Sequence, residues 1–178
     1  MRLNEFAPST LPGSFHKSLM LNKLWLIKQL SNIKDQFGTI YLLGSWYGNL
    51  SLFMARSSIE FKRIINVDQD DQALTQGQLI AKKLGLADGI QIMCADVNDL
   101  DYQLLDKDGL IINTSCHDIS NHMWFDHIPP GTMLALQTRN DVDHSLSQYA
   151  LQKTLYQGNI ELQDPETAYT SYLKIGIK

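Results

Sequence analysis

Apolar and polar positions along the chain follow two periods, and the switches between them mark its elements. Five short apolar runs have strand length: Thr39–Leu43, Arg63–Val67, Gly89–Cys94, Gly109–Asn113 and Thr132–Gln137. Helical spacing fills the gaps. Met20, Leu24, Ile27 and Leu30, widened by Leu21 and Trp25, predict a helix from a Ser14 cap to about Ile33, after a leader broken by Pro8 and Pro12. Further helices are predicted over Asn49–Ala55 and over Gln72–Leu84, the latter capped by Asp70 or Asp71 and stopped at Gly85. Another runs from a Ser115 cap to Pro129-Pro130-Gly131, and a last one covers Ser145–Leu155. Near the end, Tyr169, Ser171, Leu173, Ile175 and Ile177 alternate with Thr170, Tyr172, Lys174 and Gly176. That period-2 stretch, with Ile160–Gln163 before it and Asp164-Pro165-Glu166 between, predicts a closing antiparallel hairpin. The order is βαβαβαβαβ with a helical leader and a terminal hairpin. It predicts an α/β, three-layer, doubly wound and mostly parallel seven-stranded sheet with helices on both faces.

The first strand ends in a distinctive turn, Gly44-Ser45-Trp46-Tyr47-Gly48, before a helix opens at Asn49. A glycine turn between a strand and a helix aims backbone N–H groups and the positive helix end at one spot, which suits a polar or anionic ligand group. Gly44 supplies the backbone freedom to leave the strand, and Gly48 lets a ligand or the sheet come close to the helix. A phosphate-binding loop would need Gly-Lys-Ser/Thr, which is absent here. A dinucleotide fingerprint needs a glycine where this chain has Trp46, whose indole would block the pyrophosphate. The bland alternative is an ordinary strand–helix turn with no ligand.

Gly44-x-Trp46-x-Gly48 instead resembles motif I of the class I S-adenosylmethionine (SAM) methyltransferases, although the usual acidic residue two before the first glycine is Leu42 here. The turn is also similar to one in short methyltransferase-like proteins of tailed phages. The resemblance covers roughly residues 38–178 and implies SAM as cofactor, bound around Gly44, Trp46, Tyr47 and Gly48. Asp68 ends the second strand about 20 residues after the turn, where an acidic residue accepts both ribose hydroxyls of an adenosine. Ala95-Asp96-Val97 resembles the family segment whose aspartate accepts from the adenine amino group, with Val97 against the ring. Both aspartates also fit as plain helix caps. After the fourth strand, Asn113-Thr114-Ser115-Cys116-His117 takes the place of motif IV but lacks its Asn/Asp-Pro-Pro-Tyr, which disfavours nucleic-acid and protein-amide acceptors. Asn113 and His117 are the catalytic candidates, Asn113 also as a cofactor-binding residue that holds donor or acceptor through its amide and His117 as a base that titrates near neutral pH. Arg139, at the end of the fifth strand, is the candidate for a substrate carboxylate. Phe15, His16 and Lys17 are candidates for a lid over the cofactor.

Size and composition narrow the rest. A chain of 178 residues with 44% hydrophobic and 19% charged residues fits one globular SAM-binding domain, 1–178, with residues 1–37 as its leader. A net charge of −4 leaves little room for a nucleic-acid footprint. Two cysteines, Cys94 and Cys116, suggest neither a disulfide framework nor a metal site, and a reduced, cytoplasmic setting is expected. Neither a signal peptide nor a membrane span is expected. With no inserted substrate domain, the acceptor is expected to be small, approached on an open face, or enclosed with the help of a partner subunit. Three readings follow: methyl transfer to a small polar or acidic acceptor, another use of SAM through its aminocarboxypropyl arm, or a non-catalytic scaffold that keeps the fold.

Overall fold

The computed structural model describes residues 16–119, 123–139, 146–163 and 168–178. Seven strands form one sheet: β1 (Gln36–Leu43), β2 (Glu60–Asp68), β3 (Ile90–Cys94), β4 (Leu110–Asn113), β5 (Met133–Arg139), β6 (Lys153–Gln163) and β7 (Ala168–Ile177). Their order is β3-β2-β1-β4-β5-β7-β6. The first five run parallel, and β7 enters antiparallel between β5 and β6. The chain therefore reverses direction across the sheet between β1 and β4, and a crevice opens at the carboxyl ends of the strands there.

Strand alternation divides the core in two. Ile40, Leu42, Ile64, Leu110 and Ile112 face one side, where α1 (Lys17–Ser31) and α2 (Asn49–Met54) cover them with Leu26, Leu30, Leu50 and Met54. Tyr41, Leu43, Ile65, Val67 and Ile111 face the other, against Tyr102, Trp124, Phe125 and Tyr149. Burial on both faces explains the nearly unbroken apolar runs of β1 and β4. α3 (Asp71–Lys83) packs beside α2, with Ala81 against Leu52 and Ile90. Of the two candidate caps it is Asp70 that acts, accepting from the Ala73 N–H at 2.9 Å.

Three expectations need correction. The crossover from β3 to β4 is not an α-helix but two short 3-10 turns, Val97–Asp99 and Tyr102–Leu104, begun by Asp96 and Asp101. The segment's closely spaced aspartates bind backbone N–H groups two residues on, which favours tight turns over a continuous helix. Residues 146–155 do not form the expected helix; a turn precedes β6, which already begins at Lys153. Long β7 offers pairing partners back to Ile177, and ladder bonds to Lys153, Thr154 and Tyr156 override the weak helical spacing. The third concerns α1: Leu21 and Leu24 are 43% and 48% exposed, and the buried face is Ser18, Asn22, Leu26, Ile27 and Leu30. Ile27 and Leu30 of the expected stripe are buried, but in the first half of the helix the buried positions are Ser18 and Asn22, and Asn22 borders the cavity. The Ser14 cap, the Asn4–Gly13 leader, the hairpin turn at Asp164–Glu166 and the first residue of the 145–155 helix lie outside the described residues. Of the helix expected between Ser115 and Pro129, the described part is a turn after Ser115 and α4 (Met123–His127). Among the described residues no helix is long and apolar enough to cross a membrane.

Candidate active site

The turn after β1 is held by its own hydrogen bonds. Gly44, Trp46 and Gly48 all have left-handed backbones, at φ 61°, 50° and 65°. Ser45 N–H donates to the Val67 carbonyl at 3.0 Å and Gly48 N–H to the Ser45 carbonyl at 2.8 Å. Trp46 N–H donates to Asp68 Oδ2 at 2.7 Å. These three donors are therefore spent inside the protein, and α2 has only six residues. The expected cradle of free N–H groups on a helix end is thus not what the turn presents. Gly48 is needed for the sheet rather than for a ligand, because a Cβ there would lie 2.5 Å from Asn66 Nδ2.

Asp68 is the hinge of the arrangement. Its Oδ2 accepts from Trp46 N–H and its Oδ1 accepts from Asp70 N–H at 3.0 Å, so one carboxylate ties the β1 turn to the start of α3. A carboxylate has about four acceptor positions, and two of these remain. Asp96 sits beside it at the end of β3. It caps the 3-10 turn through Asn98 N–H at 2.8 Å and accepts from Gln69 Nε2 at 2.7 Å.

A cavity of about 630 Å³ opens over these strand ends. Gly44, Trp46, Tyr47, Asp68, Asp96 and Val97 line it, and so do His117 and Arg139. Trp46 and Tyr47 pack ring to ring at 4.6 Å between centroids and border the space rather than close it. Two expected site residues are not in its wall. Gly48 lies behind the turn. Asn113 is fully buried, its Oδ1 accepting from Ser115 N–H at 2.9 Å and its Nδ2 without a hydrogen-bond partner. It shapes the turn that carries His117, and direct contact with a ligand is withdrawn for it.

His117 is mostly enclosed, with 17% of its side chain exposed. Burial lowers its pKa from the usual histidine value, the nearby Asp118 opposes that shift, and Arg139 adds to it. Its Nε2 lies 3.3 Å from Asp118 Oδ2 and 3.5 Å from Arg139 Nη2, two partners with opposite demands on that nitrogen. Cys116 next to it is buried, and burial pushes its thiol up to about 12, so it is no nucleophile at neutral pH.

The sequence did not single out the helix wall of the cavity. Leu19, Asn22 and Lys23 of α1 line it, while His16 and Lys17, the expected lid residues, are exposed outside the lining and Phe15 lies outside the described residues. Asn22 Oδ1 accepts from Gln137 Nε2 at 2.9 Å and fastens α1 to β5. The polar pair Asn22-Lys23, which interrupts the apolar run between Leu19 and Ile27, was the available signal. Gln69, directly after Asp68, was another.

No protein-family description matches the sequence, and no curated protein does. Solved structures do resemble it. The N-methyltransferase NodS from Bradyrhizobium japonicum WM9, in complex with S-adenosyl-L-homocysteine (SAH), superposes with a TM-score of 0.71 at 11% identity, over 97% of this chain and 95% of that one. The protein has the class I methyltransferase fold. A SAM-dependent methyltransferase from Aquifex aeolicus is similar at TM-score 0.65 and 16% identity, over 96% of this chain and 98% of that one. Geranyl diphosphate methyltransferase in complex with SAM is similar at 0.64 and 11%, over 92% of this chain and 88% of that one. At such identities the likeness speaks for the fold alone. With the class I methyltransferase fold in place, the β3-β2-β1-β4-β5-β7-β6 order and the hairpin follow as its expected sheet.

Proposed function

We propose that residues 1–178 form one SAM-binding unit that transfers a methyl group to a small polar or acidic acceptor. The observation that carries this reading is Asp68: a carboxylate anchored by two backbone N–H groups, at a cavity wall, with acceptor capacity left for two hydroxyls. The cavity volume lies in the range of small-molecule sites, about 300–1,000 Å³. Fitted to these residues, Asp68 would take the ribose hydroxyls, Asp96 the adenine amino group through Oδ2, and Val97 the ring. When bound, SAM supplies a methyl group on a positively charged sulfur, a strong electrophile. Trp46 and Tyr47 offer aromatic faces that attract such a charge. His117, kept neutral by burial, takes the proton that the acceptor releases. Solved structures of the same fold with SAM or SAH bound add support.

Titration calorimetry with SAM, SAH, NAD and ATP tests the reading, with micromolar binding expected for the first two and none for the others. Asp68→Ala should weaken SAH binding by roughly 1.5–3 kcal/mol per lost hydroxyl contact, because the acceptor is charged. An NAD signal without a SAM signal overturns the reading. Formation of methylthioadenosine from SAM without an acceptor would show that the aminocarboxypropyl arm, not the methyl group, is used. The proposed setting is the cytoplasm, and a cell fractionation with Cys94 and Cys116 recovered as free thiols is the expected result.

A further inference from the structure

The cavity is electrically divided, and the division follows the sheet order. Asp68 and Asp96 lie at the ends of β2 and β3, on one side of the β1 turn. Lys23 from α1, His117 after β4 and Arg139 at the end of β5 lie on the other. Lys23 is half-buried, and among the described residues it makes no hydrogen bond or ion pair. Arg139 also lacks a carboxylate partner there; its guanidinium lies 5.7 Å from the Tyr169 ring centroid and only brushes His117 Nε2. Asp118, the one acidic group in the wall on this side, engages His117 and is largely exposed. Arg139 is exposed and Lys23 half-buried, so both keep some water; with Asp118 engaged by His117 they border the cavity as like charges, and an arriving anion would relieve their repulsion. Desolvation, with the charge of Arg139 adding, pushes Lys23 down to about 8. Removing water from an ammonium group beside a second cation has that effect, and a bound oxyanion would reverse it.

We propose that Lys23 and Arg139 form a subsite for an oxyanion, carboxylate or phosphate, carried by the acceptor and held in the basic half of the cavity. This rests on the methyltransferase reading and narrows its acceptor to an anionic molecule. The guanidinium offers a planar pair of donors and the ammonium of Lys23, on the helix next to it, a point charge. The Asn22–Gln137 hydrogen bond holds the two walls at fixed separation. An anion at this position lies next to His117, which places the atom to be methylated within reach of the base.

SAM has a carboxylate of its own, so the test must separate the two sources. Acetate and inorganic phosphate are titrated into the SAH-loaded protein and followed by NMR, for the wild type, Lys23→Met and Arg139→Gln. SAH and methylthioadenosine, which lacks the carboxylate, are titrated into the same proteins by calorimetry. Saturable binding of at least one anion is expected, weakened about tenfold or more in each variant, with SAH and methylthioadenosine affinities unchanged. The better-bound anion identifies the acceptor's group. Lack of anion binding to the wild type overturns the proposal, as does anion binding that survives both substitutions. Weaker SAH binding with unaltered methylthioadenosine binding also overturns it, since the pair then holds the cofactor's carboxylate. Absence of SAH binding to the wild type sinks the methyltransferase reading instead, while phosphate binding lost in Lys23→Met would still support the cation pair as an oxyanion site.

Discussion

His117 Nε2 cannot satisfy both of its neighbours at once. Arg139 only donates, so it needs Nε2 as an acceptor, whereas Asp118 needs Nε2 to carry a proton. Both distances are long for a hydrogen bond, which fits a ring poised between the two. Burial acts in the same sense as Arg139 and lowers the pKa, leaving the imidazole neutral and able to accept a proton at pH 7. In an NMR titration, the His117 ring signal, assigned by its loss in His117→Asn, should change below pH 6.5, the ordinary histidine value. Arg139→Gln removes a repelling charge and should raise the midpoint; Asp118→Asn should lower it. A midpoint at or above 6.5 in the wild type would exclude a base kept neutral by burial. At this scale the strand-end residues were legible in the sequence, because Asp68, Asp96, His117 and Arg139 each come within a few residues of the end of an apolar run. Asn113 misled for the same reason. The last residue of a strand can point back under the sheet as readily as into the crevice, and here it is fully buried.

At the scale of elements, α3 and the β1 turn share a contact that permits no side chain. Gly77 lies in the interior of α3, where alanine would normally favour the helix by about 1 kcal/mol. A Cβ there would fall on the Tyr47 carbonyl oxygen, which is backbone of the turn and has little room to give. The overlap should outweigh the propensity gain: Gly77→Ala is expected to destabilise by about 1–3 kcal/mol in urea unfolding and to weaken SAH binding. Gln76→Ala, one position away, should change neither. Stabilisation by Gly77→Ala would mean that the turn is not braced by α3. The sequence placed α3 well because it is punctuated at both ends. α3 has an Asp70 cap and a Gly85 stop, and both act as expected. The segment 145–155 had only a weak helical spacing, and long-range pairing with β7 decided its fate. No local pattern carries that information.

Over the whole molecule, the cavity draws its walls from α1, the β1 turn and the ends of β2, β3, β4 and β5. These elements span both faces and much of the width of the sheet, so a ligand there contacts groups that unfolding would scatter. The topology was legible because apolar runs of strand length alternate with helical or turn segments and end in a period-2 hairpin. The α1 wall was not, since a helix before the first strand can pack on either face, and only the Asn22–Gln137 bond and the burial of Leu26 and Leu30 show which. A ligand that binds only the folded chain stabilises it by mass action, about 2.7 kcal/mol at a free concentration near 100 times its dissociation constant. For a chain of this size each kcal/mol raises the melting temperature by about 2–4 °C, so saturating SAH should raise it by about 5–11 °C. NAD at the same concentration should leave it unchanged, and Asp68→Ala should lose most of the SAH shift. Lys23→Met should keep that shift if Lys23 holds the acceptor as proposed. An equal shift from SAH and NAD would point to a general nucleotide cleft, and the assignment of Asp68 to ribose would no longer distinguish this cavity from a dinucleotide site.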